Sequence, residues 1–287
     1  MLHQLCEGMS IRAITRTTGA SKNTVAKLLN DVGVACAAYH DDSVRGVAAK
    51  RVQVDEIWSF TYAKQKNVAA AKAAPEGAGD TWTWTALDAD TKLIVGWFVG
   101  GRDGECANLF MKDVALRLTS RVQLTSDGHK AYLEAVEGAF GADVDYAQLV
   151  KMYGTAPENL RGKYSPAECT GIKKTVIEGE PDEMHISTSY VERQNLTMRM
   201  HMRRFTRLTN GFSKKVEAHA NAVALHCVYY NFCRIHKTLR TTPAMAAGIT
   251  SKLWEVSDIA ALLDERDAVI AHKKRGIYKK RDERISN

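Results

Sequence analysis

Three acids, Asp55, Asp127 and Glu192, stand at positions where a carboxylate needs a reason. Asp55 lies in the middle of an apolar, alternating stretch, and a buried carboxylate without partners is costly there. Asp127 ends a short apolar run just before Gly128, where read alone it is also a simple turn residue. Glu192 opens a stretch of helical spacing three residues after Ser189, which is equally the spacing of a capping box. Glu56, next to Asp55, points to the opposite face of the same strand and is the poorer candidate. Brought together, Asp55, Asp127 and Glu192 would repel one another unless cations neutralised them, and hard carboxylate oxygens select Mg²⁺, with Mn²⁺ tolerated, over zinc. Two such ions about 4 Å apart clamp the attacking and the leaving oxygen of a phosphodiester. The chemistry expected of the three acids, as catalytic residues and metal ligands at once, is therefore phosphoryl transfer.

The surrounding pattern says what must position them. Residues 51–62 alternate as a strand, with Val52, Val54, Trp58, Phe60 and Tyr62 on one face and Gln53, Asp55, Ile57, Ser59 and Thr61 on the other. A loop rich in Ala, Gly and Lys spans 64–79. Strands follow at 81–87 and 92–99, a helix at 105–118, a short strand at 122–125 that ends at Asp127, a helix at 129–140 and a strand at 144–147. Three strands joined by tight turns, then helix, strand, helix, strand, is the element order of a ribonuclease-H-like α/β fold with a mixed sheet. Residues 148–186, with Pro157, Pro166 and Pro181, read as an irregular insertion. The next helix starts near 187–189 and runs past Phe205, with Val191, Met198, Met202 and Phe205 on one stripe and Glu192, Arg199 and Arg203 on the adjacent one. From Arg193 to Lys215 there are seven basic residues and no acidic one, so this helix can dock on the core and present charge to phosphate. Arg199 and Arg203 would touch nucleic acid there or merely be solvated.

Two flanking parts complete the organisation. In residues 1–50, Ser10 can cap one short helix and Ser21 a second, around Thr18-Gly19-Ala20. This is the pattern of a helix-turn-helix. Its second helix would begin with Ser21, Lys22, Asn23 and Thr24, with Lys27 a turn further on, and these are the candidate DNA-binding residues. Only Leu2 to Glu7 precede the pair, so the natural start is expected to lie upstream. The catalytic part is 51–210. The last part, 211–287, reads as helical, with Val216, Ala220, Val223, Cys227 and Tyr230 on one stripe and a basic tail through Lys273-Lys274-Arg275 and Lys279-Lys280-Arg281.

Composition agrees with a folded protein that meets polyanions. Of 287 residues, 45% are hydrophobic and 25% charged, which is ordinary for a globular chain and excludes a disordered one. The net charge of +7 favours nucleic acid, since each cation placed on a phosphate releases condensed counterions. The six cysteines form no C-x-x-C pair, which argues against a disulfide framework and a compact zinc site and points to reduced thiols in the cytoplasm. No apolar run approaches the roughly 20 residues of a membrane span, and no signal-peptide pattern opens the chain.

Four segments carry a resemblance. VDEIWSF around Asp55, SDGHKAY around Asp127 and STSYVERQNLTMRMHMRRFTRLTNGFSKK around Glu192 resemble transposases of small bacterial insertion sequences, of the IS-one type. YYNFCRIHKTLRTTPAM, residues 229–245, resembles the closing segment of many insertion-sequence transposases and integrase-like proteins. The resemblance implies a ribonuclease-H-like core, a DDE triad of Asp55, Asp127 and Glu192, Mg²⁺, binding to terminal inverted repeats and target DNA, and at least two subunits on paired ends. It also places a basic residue, Arg199, seven positions after the Glu. The cysteine-bearing zinc segment that often precedes the helix-turn-helix in such proteins is not found in this sequence. A DNA-binding protein derived from a transposase but without its chemistry is the alternative.

Overall fold

The computed structural model describes residues 1–154, 169–206 and 210–274, with the side chains of the last five of these left aside. The chain is an α/β protein around a six-stranded mixed sheet. Strand β1 (Arg51–Thr61) runs antiparallel to β2 (Gly79–Asp88), and β2 antiparallel to β3 (Ile94–Gly100). The β2–β3 turn is set by Asp88, whose carboxylate accepts from the Asp90 N–H at 3.0 Å and the Thr91 hydroxyl at 2.5 Å. Strands β4 (Val122–Ser126) and β5 (Val144–Tyr153) add in parallel on the other side of β1, and β6 (Cys169–Glu178) closes the row antiparallel to β5. The order β3-β2-β1-β4-β5-β6 is compatible with a ribonuclease-H-like core.

Helices cover both faces, so β1 is buried on both sides and its apolar–polar alternation does not divide core from solvent. Helices α5 (Gly104–Arg117) and α6 (Ala131–Phe140) lie on one face, where Trp84 meets Phe110 and Tyr132. On the other face lie α7 (Ser189–His201) and α8 (Val216–Val228). There His219 of α8 stands 3.4 Å from the Ser59 hydroxyl and 3.3 Å from that of Thr83. A π-helical turn, Tyr229–Cys233, ends α8 and places Asn231 against β3: its amide accepts from the Ile94 N–H and donates to the Ile94 carbonyl, both at 2.9 Å. The asparagine of the 229–245 segment thus closes the free edge of β3. Short helices α4 (Gln65–Val68) and α9 (Pro243–Ala246), and the longer α10 (Val256–Lys274), lie outside these layers.

The N-terminal part forms α1 (Leu2–Cys6), α2 (Ile11–Thr18) and α3 (Lys22–Ser43). Both expected caps are made: the Ser10 hydroxyl accepts from the Ala13 N–H and the Ser21 hydroxyl from the Thr24 N–H, each at 3.1 Å. Gly19 ends α2 at φ 73°, a left-handed conformation that glycine adopts without strain. Helix α3 is far longer than a recognition helix needs. Its Leu29, Val32 and Cys36 join one hydrophobic core with Val52 and Val54 of β1 and Val223 and Cys227 of α8. At Gly33 it packs so closely on α8 that a Cβ there would stand 2.4 Å from Asn221.

Two expectations are corrected. Residues 148–186 are not irregular throughout: β5 continues to Tyr153 and pairs with β6, forming a projecting hairpin whose outer residues are mostly exposed; 155–168 lie outside the described residues. Beyond Leu149 the hairpin buries little apolar surface, so no hydrophobic alternation marked that part of β5 or β6. Helix α7 stops at His201; Met202 is extended, and Arg203–Phe205 form a separate 3-10 turn that keeps Phe205 buried. The expected basic runs at 273–275 and 279–281 lie outside the described side chains.

Candidate metal centre

The centre is built where β1 and β4 part. Their parallel pairing ends at Gln53↔Thr125, so Asp55 and Asp127 stand just beyond the last pair, on adjacent strands at the end where the sheet opens. The Asp127 Oδ1 accepts from the His129 N–H at 2.9 Å, an Asx turn that leads into α6. Asp55 Oδ1 accepts from the Glu56 N–H at 2.9 Å, and its Oδ2 from the Asn195 amide of α7 at 2.8 Å. Glu56 belongs to the other face, where Arg102 donates to its Oε1 at 2.5 Å and the Tyr132 hydroxyl to its Oε2 at 3.0 Å. At the open strand edge its carboxylate nevertheless reaches the others. Asp55, Glu56 and Asp127 each offer an oxygen within 4.8 Å of the other two, a cluster that can hold a metal ion.

Electrostatics mark the cluster as short of positive charge. Burial, then the carboxylates of Glu56 and Asp127, with Glu192 last, push Asp55 up to about 7, against the bond from the Glu56 N–H. Glu56 is also raised, by burial and by Asp127, in spite of Arg102. Arg102 stands 3.8 Å from Asp127 Oδ2 and lies over the Trp82 ring at 4.7 Å, so one guanidinium serves two carboxylates. Beside Asp55, the Asn195 Oδ1 is buried with no hydrogen-bond partner. Carboxylate oxygens and an unpartnered amide oxygen are hard donors, and this set fits Mg²⁺ or Mn²⁺.

Glu192 lines the same cavity, of about 700 Å³, together with Asp55, Asp127, His129, Lys151 and Thr188. It is not one of the three clustered carboxylates. Its two oxygens are held by Lys151 Nζ at 2.6 and 2.5 Å, and the Thr188 hydroxyl donates to Oε1 at 2.6 Å. Burial opposes the Lys151 charge, but Glu192 outweighs it and the lysine's pKa is raised. The capping box with Ser189 does not form; the helix starts after Thr188 with no side-chain cap of its own. Instead Gln53 Oε1, on β1 two residues before Asp55, accepts from the N–H groups of Tyr190 and Val191 at 2.8 and 3.1 Å. The strand that carries Asp55 therefore holds the first turn of the helix that carries Glu192.

Asn195, Gln53, Lys151, Arg102 and the reach of Glu56 were not singled out by sequence. Asn195 shares Glu192's side of α7 at i+3, and Gln53 shares Asp55's face at i−2, so both carried a readable signal. Lys151 carried none, because its strand was not recognised.

The candidate nucleic-acid residues lie elsewhere. Ser21, Lys22, Asn23, Thr24 and Lys27 are exposed at the start of α3; the Ser21 hydroxyl is engaged by Thr24 and Lys27 pairs with Asp31. Arg199 and Arg203 are exposed on α7 and the turn after it. All six cysteines are free thiols. Among the described residues no helix is long and apolar enough to cross a membrane. No protein-family model and no curated protein matches the chain.

Proposed function

We propose that this chain is a DDE transposase that binds terminal inverted repeats, nicks DNA and joins the 3′-hydroxyl ends to target DNA. The observation that carries the reading is the convergence of Asp55 and Asp127 where two parallel strands part, with Glu192 lining the same cavity. Asp55, Asp127 and Glu192 would hold Mg²⁺, which when bound supplies Lewis-acid activation of the attacking water or hydroxyl and stabilises the leaving oxygen. The chain's own groups do the rest. Asn195 orients the Asp55 carboxylate, Gln53 fixes α7 relative to β1, and Lys151 holds both oxygens of Glu192 at the edge of the cavity. The exposed start of α3 and the basic face after Glu192 support DNA as substrate, and the resemblance supports assembly of two or more subunits on paired ends, in the cytoplasm of a bacterium.

The Lys151–Glu192 pair favours a second reading, a transposase-derived protein that binds DNA without cutting it. A plasmid carrying this reading frame with its flanking DNA, incubated with the purified chain and Mg²⁺, separates the two. The first reading expects joined donor–target product that Asp127→Asn abolishes. Binding with neither nicking nor joining would leave only the second.

A further inference from the structure

A second cavity, of about 920 Å³, opens between α2, the start of α3 and the described residues of 201–206 and 210–214. Among the described residues its charged lining is Arg12, Arg16, Lys22, Arg203, Arg204 and Lys214, and no carboxylate lines it. Arg12, Arg16 and Lys22 come from the N-terminal helices, and the other three from the chain after α7, so the cations face one another across a groove. Arg204 is half-buried, with its guanidinium desolvated by its neighbours. Its guanidinium donates to the Ser213 hydroxyl at 3.2 Å, and burial lowers its pKa to about 10 with no carboxylate among the described residues opposing the shift. A desolvated cation without a counter-charge is costly and calls for an anion from outside. The groove also receives the N-terminal end of α2 through Ser10 and Ile11, which adds partial positive charge.

One small anion would answer one or two of these cations, and six on two walls suit a row of phosphates. The position points the same way. His201, at the end of α7, lines this groove, and Glu192, in its first turn, lines the acidic cavity. Nine residues of helix separate them by about 14 Å, roughly four base-pair steps of a duplex.

We propose that this groove grips the phosphodiester backbone of a duplex, clamping it between the N-terminal helices and the described residues of 201–206 and 210–214. The ligand class rests on the nucleic-acid reading above, but the grip needs neither metal nor catalysis. Lys22 then faces backbone rather than base edges.

The test is fluorescence anisotropy of the full chain with a labelled mixed-sequence duplex of about two helical turns, in EDTA, between about 50 and 200 mM salt. The variant joins Arg12→Ser, Arg16→Ser and Lys214→Ser, all exposed; Lys112→Ser on α5 is the control. The triple variant should bind at least about tenfold more weakly, with a salt slope shallower by about 2–3, while the control binds as the native chain does. Should the triple variant melt early, Arg203→Ser alone should still flatten the slope by about one. A native slope in variants that bind as tightly as the native chain would overturn the proposal. So would displacement of the duplex by inorganic phosphate at matched ionic strength, which would make the groove a small-anion site. A native chain that fails to bind the duplex at all would sink the nucleic-acid reading itself.

Discussion

At Asp55 two demands conflict. The residue is set among packed strands and α7, where charge is costly, and it faces two further carboxylates. Without a cation, Asp55→Asn should therefore stabilise the fold, by roughly 1–3 kcal/mol above neutral pH, since it removes a buried repelling charge. The same variant should lose the rise in melting temperature that Mg²⁺ gives the native chain. Thermal melts with EDTA and with Mg²⁺ read both effects, and an Asp55→Asn variant that is less stable in EDTA and still responds to Mg²⁺ would contradict this view. Asn195→Ala removes the only amide donating to Asp55 Oδ2 in the described structure. It should weaken Mg²⁺ binding about tenfold or more while costing about 1–3 kcal/mol of stability; titration calorimetry with unchanged affinity would assign Asn195 to packing alone. Sequence revealed Asp55 because an acid in an apolar strand stands out. Asn195 and Gln53 share a face with a candidate acid, but each acts on a group about 140 positions away, so the pattern marks their side and not their partner.

Among elements, the contact between α3 and α8 decides whether the N-terminal helices are anchored. Replacing a mid-helix glycine by alanine ordinarily gains up to about 1 kcal/mol. At Gly33 the added methyl would meet the Cβ and carbonyl of Asn221, so Gly33→Ala should destabilise by more than about 2 kcal/mol as the helices are forced apart. Urea unfolding checks the sign, and a stabilised variant would mean that the helices are not so closely set. The strands of the central sheet were legible because alternation and turn residues agree there, and the caps at Ser10 and Ser21 marked two helix starts. The outer half of β5 and all of β6 were not legible, since exposed strands carry no apolar period. The full length of α3 was missed because its buried side is lined by small residues, Gly33, Ala35 and Cys36, rather than a strong stripe.

For the whole molecule, three histidines are buried neutral: His40, lowered to about 4, and His219 and His226, each lowered to about 3, all by burial first. In the unfolded chain each titrates near 6.5, so below that pH the unfolded state binds more protons. Stability is complete above about pH 6.5 and is lost as pH falls toward the folded values, by roughly 2 kcal/mol per histidine by about pH 5. Urea midpoints measured from about pH 7 to pH 5 should fall steeply, and a flat profile would mean that the histidines are not buried as described. His40 and His219 meet residues of the sheet and His226 packs on α7 beside the second cavity, so assays of binding or cutting belong above that range. The most direct test of the central claim is anomalous diffraction from crystals grown with Mn²⁺. The account expects an ion bonded to oxygens of Asp55 and Asp127, with Lys151 displaced from Glu192. No ion at that pair, with Lys151 still on Glu192, would contradict it.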